Sequence, residues 1–428
     1  MRLFPGPNLE GAEENDGALH RDLRNGEAMS EFHTFGVAVV LAGVLFFLYT
    51  YFGYPLTLWL LGLFRAGPSD VEDEPPEWPT VSISVPAYNE EEQIEGLIRS
   101  LLALEYPRER IQILIVSDAS KDRTDEIVRS FAPEGVELLR MPVRGGKTRA
   151  ENAAAEHLRG EIIVNTDASI RIAPGALKPL VAAFRDPTVG LASGRDVSVG
   201  PGESHGNVGE SGYVGYEMAV RDLETRVAGI VGASGCFYAI LPSLHGTPLP
   251  AGLSRDFAAA LITTERGYRS VSVPDALCFV PRTDSLRHEY QRKVRTIARG
   301  MDTLVFKSSL LNPFRYGMFS WMLFSHKVCR WALPWVVSAT FLALGVLSFM
   351  AFWALSLFLV GLLFLVLAVA GWWLSDRVSV PRVFSVPAFL VLGHLAAMVG
   401  LVHFFKGDPT GTWEPTRRKS MERPPGPG

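Results

Sequence analysis

From Val37 to Phe64 the chain reads VAVVLAGVLFFLYTYFGYPLTLWLLGLF without one charged side chain. A helix needs about 20 such residues to cross a bilayer, because only a helix satisfies its own backbone there. The run is therefore expected to be a transmembrane helix within residues 32–64. It is too long for the apolar core of a cleaved leader, and the polar residues 1–31 precede it. Those residues, MRLFPGPNLEGAEENDG onward, are Gly-rich and expected to be disordered.

Two more blocks share this character. Trp331–Leu374 carries no charge, is too long for one helix, and suits two with a turn near Phe349–Ala354. Phe384–Phe405 is again of spanning length. Residues 331–405 thus hold about three further spans, followed by a polar tail, 406–428. His394 lies within the last block. It is expected to face the bundle and hydrogen-bond there, with a functional role as the alternative. Before these spans, residues 313–330 mix aromatics with spaced cations (FRYGMFSWMLFSHKVCR), which suits an interfacial helix. An ordinary surface or core helix is the alternative.

Between these apolar blocks lies a water-soluble stretch, 80–312, entered through a Pro-rich acidic linker at 65–79. Its first half alternates short apolar runs with helical patterns: VSISVPAY, EEQIEGLIRSLLALEYP, IQILIVSD, DRTDEIVRSFA, VELLRMP, KTRAENAAAEHLRG and EIIVNTD. This alternation predicts an α/β domain with a mostly parallel sheet. GPGESHGNVGESG (200–212) is expected to be a flexible loop with a solvated His205.

Three of the apolar runs end alike. The first ends in Tyr88, Asn89 and Glu90, the next delivers Asp118, and IIVNTDASI delivers Asp167 with Ser169 two residues on. A single such end reads as a turn, since Asp, Asn and Ser bond their own backbone. In a parallel sheet, though, the three ends share one edge, where open α/β folds bind ligands. Carboxylates there suit a hard divalent cation, which can in turn hold a diphosphate. RGGKT (144–148) adds Lys147, but it is no P-loop, because Met141 stands where that motif needs Gly. No G-x-G-x-x-G follows the first strand either.

A formal net charge of −4 offers no nucleic-acid footprint, so no nucleic-acid partner is expected. Cys236, Cys278 and Cys329 are odd in number, widely spaced and form no metal motif, which favours a reducing compartment.

The motifs VPAYNEE, VSDASKDRT, RGGKTRAEN, NTDAS, GASGCFYAI and LSRDF come in the order found in family-2 glycosyltransferases. The chain resembles most closely the cellulose-synthase-like and hyaluronan-synthase-like membrane branch, over roughly residues 80–300. YFGYP (51–55), in the first apolar run, is similar to that branch as well.

The resemblance implies a glycosyltransferase A-type nucleotide-sugar-binding domain with transmembrane helices. It implies that Tyr88, Glu90 and Asp118 contact the nucleoside of the donor and that Lys147 faces the donor. Asp167 would open the family's Asp-x-Asp metal motif, for Mg2+ or Mn2+. Ser169 stands in place of the second Asp, a weaker neutral ligand. Asp256 in LSRDF would be the general base, taking the acceptor hydroxyl's proton; the plain alternative is a helix N-cap. Processive members carry Gln-x-x-Arg-Trp. Here EYQRKVRTIARG (289–300) offers Gln291, Arg292 and Arg295 for a diphosphate or acceptor, without the Trp. A solvated cationic face is the alternative.

The expected activity is inverting transfer of a sugar, from a UDP-sugar donor, to a glycan or lipid-linked acceptor in cell-envelope polysaccharide synthesis. Membrane lipid would be a partner. A polyprenyl-phosphate sugar transferase and a non-catalytic nucleotide-sugar-binding membrane protein are the alternatives. A transporter is disfavoured, because the spans carry almost no polar residues. An integral protein of a bacterial-type inner or plasma membrane is expected, its catalytic domain facing the cytoplasm where such donors are made. The acidic residues before the first span agree with an outside start, whereas RRK (417–419) and Arg423 favour an inside C-terminus.

Overall fold

The computed structural model describes residues 10–65, 77–199, 208–281, 286–375 and 380–407. Most of the acidic linker, His205 and the basic C-terminal residues lie outside the described residues. Residues Glu10–Leu48 form α1, and a π-helical turn, Tyr49–Gly53, leads into α2 (Tyr54–Gly62). The start at Glu10 corrects the expectation of a disordered tail for residues 10–31. Once the apolar run has nucleated the helix, good helix formers such as Glu, Ala, Leu and Arg extend it at little cost.

Strands and helices then alternate as β1 (Val81–Ala87), α3 (Ile94–Leu102), β2 (Ile111–Ser117), α4 (Thr124–Ser130) and β3 (Val136–Arg140). They continue as α5 (Lys147–Ala154), β4 (Ile162–Thr166), β5 (Arg171–Ile172), α6 (Leu177–Ala182), β6 (Val189–Val199) and α7 (Val208–Val227). The sheet is completed by β7 (Phe237–Ile240), α8 (Pro242–His245), α9 (Arg255–Glu265) and β8 (Arg269–Pro281).

One eight-stranded sheet results, in the order β3-β2-β1-β4-β7-β6-β8-β5. β1 through β4 pair in parallel, whereas β7 runs antiparallel to both β4 and β6. The parallel half is the one that alternation made legible. Its strands are buried on both faces, as such sheets require. One face packs Ile83, Val85 and Ile113 against Ile94, Leu97 and Leu180; the other sets Ile163, Leu191 and Ile240 against Ala258 and Ile262.

After the sheet come α10 (Leu286–Phe306), α11 (Pro313–Tyr316), α12 (Met318–Leu323), a π-helical stretch Phe324–Cys329, α13 (Arg330–Leu347), α14 (Phe352–Ser375) and α15 (Arg382–Lys406). Among the described residues four helices are long and apolar enough to cross a membrane: Glu27–Gly62, Met318–Leu347, Phe352–Leu374 and Arg382–Lys406. The turn between the middle two falls at residues 348–351, overlapping the expected stretch. Residues 313–330 differ from the single interfacial helix expected. The chain breaks at Gly317, whose φ is +53°, and then runs on into α13. Two cations of that stretch, His326 and Arg330, are not solvated but meet buried carboxylates described below.

Two compact units are distinguished, Met1–Tyr49 with Trp335–Leu365, and Thr50–Pro334 with Val366–Gly428. In the first, a Cβ on Gly43 would fall 1.9 Å from Thr340 Oγ1, so only glycine allows this approach of α1 and α13. In the second, α15 lies along α10. A Cβ on Gly400 would sit 3.2 Å from the Val294 carbonyl oxygen.

Candidate active site

The carboxyl ends of β1, β2 and β4 do share one edge, and each is shaped by tight backbone geometry. Asn89 and Ala119 hold positive φ values of 52° and 58°, uncommon for residues with a Cβ and frequent at functional turns. Asn89 Oδ1 accepts from the Lys121 amide at 2.8 Å, which locks the two strand ends together. Glu90 is buried, and its amide donates to Thr124 Oγ1 at 2.8 Å.

Asp118 is buried, and both its oxygens are engaged. The amides of Gly145 and Gly146 donate to them at 2.7 Å each. The carboxylate thus fixes the RGGKT loop just before the first turn of α5, where free backbone donors favour an anion. Gly146, with φ +85° and ψ 167°, adopts a conformation open to glycine alone. Arg144 from the same loop stacks on the Tyr88 ring, 3.8 Å from its centroid.

Lys147 opens α5 and reaches across to β4. Its Nζ lies 2.5 Å from Asp167 Oδ1 and 3.1 Å from the Gly235 carbonyl. Burial works against the ammonium, but the carboxylates of Asp167, Glu151 and Asp256 hold its pKa above the usual lysine value. Glu151, fully buried and 3.8 Å from Arg255, has its own pKa raised by that burial.

Asp256 is not the cap of α9. Ser254 holds that position, and Asp256 lies in the first turn, accepting from Ser254 Oγ at 2.6 Å. Gly235 makes room beside it, since a Cβ there would come 2.9 Å from Asp256 Oδ2.

Lys147, Asp167, Gly235, Ser254 and Asp256 line one cavity of about 410 Å³. Its opposite wall is helix α10, which contributes Arg292, Arg295 and Arg299. Those three fall at i, i+3 and i+7, one helical face. Gln291, one residue earlier and about 100° around the helix, is exposed and outside the lining. Ser169 is likewise absent from it: its turn carries Ala168 and Ile170 into the core, and Ser169 is itself buried. The expected second metal ligand is therefore not placed at the cavity.

The sequence left several lining residues unmentioned. Asp196, on β6, accepts from Ser234 Oγ at 2.6 Å and from the Cys278 thiol at 3.2 Å. Glu217 and Arg221 come from α7, which shows no motif. Beneath α7 lies a buried ionic network. His326 bridges Glu224 and Glu217, at 2.5 and 2.9 Å, Tyr54 donates to Glu224, and Arg330 pairs with Glu217 at 2.6 Å. Burial disfavours the Glu217 charge, yet His326 and Arg330 hold its carboxyl well below the ordinary range. Only α7's register of Glu217 and Glu224, seven residues apart, could have hinted at it.

Among the described residues no cluster of three or more His, Cys, Asp or Glu side chains is arranged for a metal. The Lys147 ammonium on Asp167 does show that this carboxylate accommodates a cation. The donor set fits a hard divalent ion that takes one carboxylate from the protein and its other oxygens from a phosphate ligand and water.

Such a mixed sheet, with carboxylates at the carboxyl edge and a cationic wall facing them, defines a glycosyltransferase A-type α/β domain. Residues 82–232 match the model of Glycosyl transferase family 2. Across 87% of this chain and 99% of the other, the fold matches a mannosyltransferase of Pyrobaculum calidifontis solved with GDP-Man and Mn2+. The TM-score is 0.65 and the identity 23%.

A beta-monoglucosyldiacylglycerol synthase of Trichormus variabilis is 32% identical over 156 residues, 36% of this chain and 33% of that protein. An N-acetylglucosaminyltransferase of Rhizobium meliloti is 25% identical over 235 residues, 51% and 54% of the two chains. A dolichyl-phosphate beta-glucosyltransferase of Trichomonas vaginalis is 38% identical over 96 residues, 21% and 30% of the two. The chain spans about a third of the length of the glucosyldiacylglycerol synthase that it matches.

Proposed function

We propose that this protein is a membrane-embedded inverting glycosyltransferase that moves a sugar from a nucleotide-sugar, a UDP-sugar by preference, to a hydroxyl of a glycan or lipid-linked acceptor. The observation that carries the reading is the convergence of Asp256, the Lys147–Asp167 pair and three arginines of α10 on one cavity. One carboxylate free of any covalent role suits a base that takes the acceptor's proton. Direct displacement by that acceptor inverts the anomeric centre. Lys147 and the α10 arginines supply positive charge where a diphosphate leaves. Tyr88, Glu90 and Asp118 are assigned to the nucleoside end, with Asp118 acting through the loop it holds.

A divalent cation, Mg2+ or Mn2+, would be held by Asp167 and would offset charge on the leaving diphosphate. The mannosyltransferase of the same fold was solved with Mn2+ and GDP-Man, and named relatives act on lipids or transfer N-acetylglucosamine. The motif order favours the cellulose- and hyaluronan-synthase-like branch, with the catalytic domain on the cytoplasmic side.

The test is nucleoside diphosphate release by the purified protein from a series of UDP- and GDP-sugars, with and without membrane lipid. Release that depends on one donor and on an acceptor supports the reading. Binding of a donor without any release would make the protein a non-catalytic binder instead.

A further inference from the structure

A second cavity, of about 280 Å³, adjoins the first. The two share Tyr213, Glu217, Arg292, Lys293 and Thr296 in their linings, so they adjoin along α7 and α10. The far wall of the second cavity is apolar and belongs to helices of spanning length: Trp331 and Pro334 from α13, Phe389, Leu390 and Ala397 from α15. Gly393 of α15 also faces it, with nothing within 4 Å of where a Cβ would stand. The two cavities together therefore extend from Asp256 to this apolar wall.

The second cavity is unbalanced in charge. Arg292, Lys293, Lys327 and Arg330 line the second cavity, against Glu217 alone. Arg330 is matched by Glu217 at 2.6 Å, and Arg292 and Lys293 by Glu289 at 2.8 and 3.6 Å. Among the described residues the Lys327 ammonium has no ion pair and no hydrogen bond. It lies 5.2 Å from the Phe257 ring, adjacent in sequence to Asp256, and beside Gly232. Glu217 and Glu224 act on it from farther off, as do Arg221 and Arg330 with the opposite sign, and a buried surplus of positive charge is costly unless an anion joins it.

We propose that this cavity anchors the acceptor, and that the acceptor is a lipid whose hydroxyl-bearing head is joined through a phosphate to its apolar chain. The inference rests on the transferase reading of the neighbouring cavity. Lys327 binds the phosphate, the hydroxyl reaches Asp256, and the chain leaves along Phe389, Leu390 and Ala397. A neutral glycolipid or diacylglycerol would leave the surplus positive charge of this cavity unmatched.

The experiment uses the full-length protein with whichever donor the release screen identifies. Three acceptors are compared in phosphatidylcholine vesicles: phosphatidylglycerol, a polyprenyl diphosphate bearing one sugar, and diacylglycerol. The parent protein is expected to prefer one of the phosphate-bearing lipids in kcat/KM by at least about tenfold, and which one identifies the source. Lys327→Met should raise KM for that lipid while donor affinity stays as in the parent, and Lys327→Arg should keep the preference. Equal use of diacylglycerol by the parent overturns the proposal, even if the Met variant fails to fold. So does a Met variant that folds and keeps the preference. No release from any donor with any acceptor would sink the transferase reading, and the anchoring site with it.

Discussion

The Lys147 ammonium sits 2.5 Å from Asp167 Oδ1, so the first residue of α5 and the end of β4 are joined by a charge pair at the cavity wall. The carboxylate assigned to a metal is thus already neutralised by a cation of the protein. A divalent ion must compete with it. At an effective dielectric of about 20, charges ~4 Å apart interact by about 4 kcal/mol, enough for a measurable effect after solvent screening. Lys147→Met is therefore expected to tighten Mn2+ binding to the donor-free protein on the order of tenfold, while weakening donor affinity. Asp167→Ala should abolish metal-dependent donor binding. Titrations of each variant with Mn2+ and with donor test the pair, and unchanged metal affinity in both would remove Asp167 from that role.

The parallel half of the sheet and its three strand ends were legible because a strand buried on both faces reads as an apolar run closed by turn residues. Tyr88, Asp118 and Asp167 could be placed at one edge on that basis. The antiparallel insertion of β7 between β4 and β6 was not legible, since it pairs residues more than seventy positions apart. Asp196 and Glu217 escaped for the same reason: nothing near them in sequence marks the cavity they reach. Ser169 and Gln291 do not line the cavity that Asp167, Arg292 and Arg295 share, a matter of side-chain direction that motif spacing does not carry. Ser169 lies in a turn whose apolar neighbours take the core, and Gln291 lies on the wrong face of α10.

Ser169→Asp separates a motif from a location. If the second position of the Asp-x-Asp motif faced the metal, an added carboxylate would tighten its binding. Because Ser169 is buried outside the cavity lining, the variant is expected to bind metal no more tightly than the parent. It should also lose stability, by at least about 1–3 kcal/mol for a poorly matched buried polar group. Denaturation midpoint and Mn2+ titration on the same preparation decide the matter. A tighter site with an unchanged midpoint would return Ser169 to the metal.

His245 provides a pH test of the scaffold behind the cavity. It is buried beside Asn165, with its carbonyl held by Arg255, and burial together with the Arg255 charge lowers its pKa to about 3. The unfolded chain binds a proton at about 6.5, so between these values the unfolded state holds more protons than the folded one. Stability from the neutral ring is full above about 6.5 and is lost as pH falls toward 3. His245→Gln removes that component. The melting temperature of the parent should fall more steeply than that of the variant between pH 6.5 and 4. Parallel curves would show that His245 does not titrate with unfolding.

Asp256 distinguishes chemistry from architecture. The residue stands in the first turn of α9, accepts from Ser254 Oγ, and lies beside Gly235. Two functions are open to a carboxylate there: favourable interaction with the helix N-terminus, and removal of the acceptor's proton. The first is worth typically 0.3–1 kcal/mol at a helix end and would appear as a modest loss of stability. The second acts only in the transition state, where removal of a positioned base costs roughly 10²–10⁴-fold in rate. Asp256→Asn keeps the shape and can still accept from Ser254, while losing the basicity. It is expected to bind donor as the parent does and to lower kcat at least about a hundredfold, with a melting temperature close to the parent's. Donor titration, turnover and thermal unfolding measured together read these effects separately. If the Asn variant turns over at the parent's rate, the base lies elsewhere. Asp196, a lining carboxylate without an ion pair to a cation among the described residues, would then be the residue to replace.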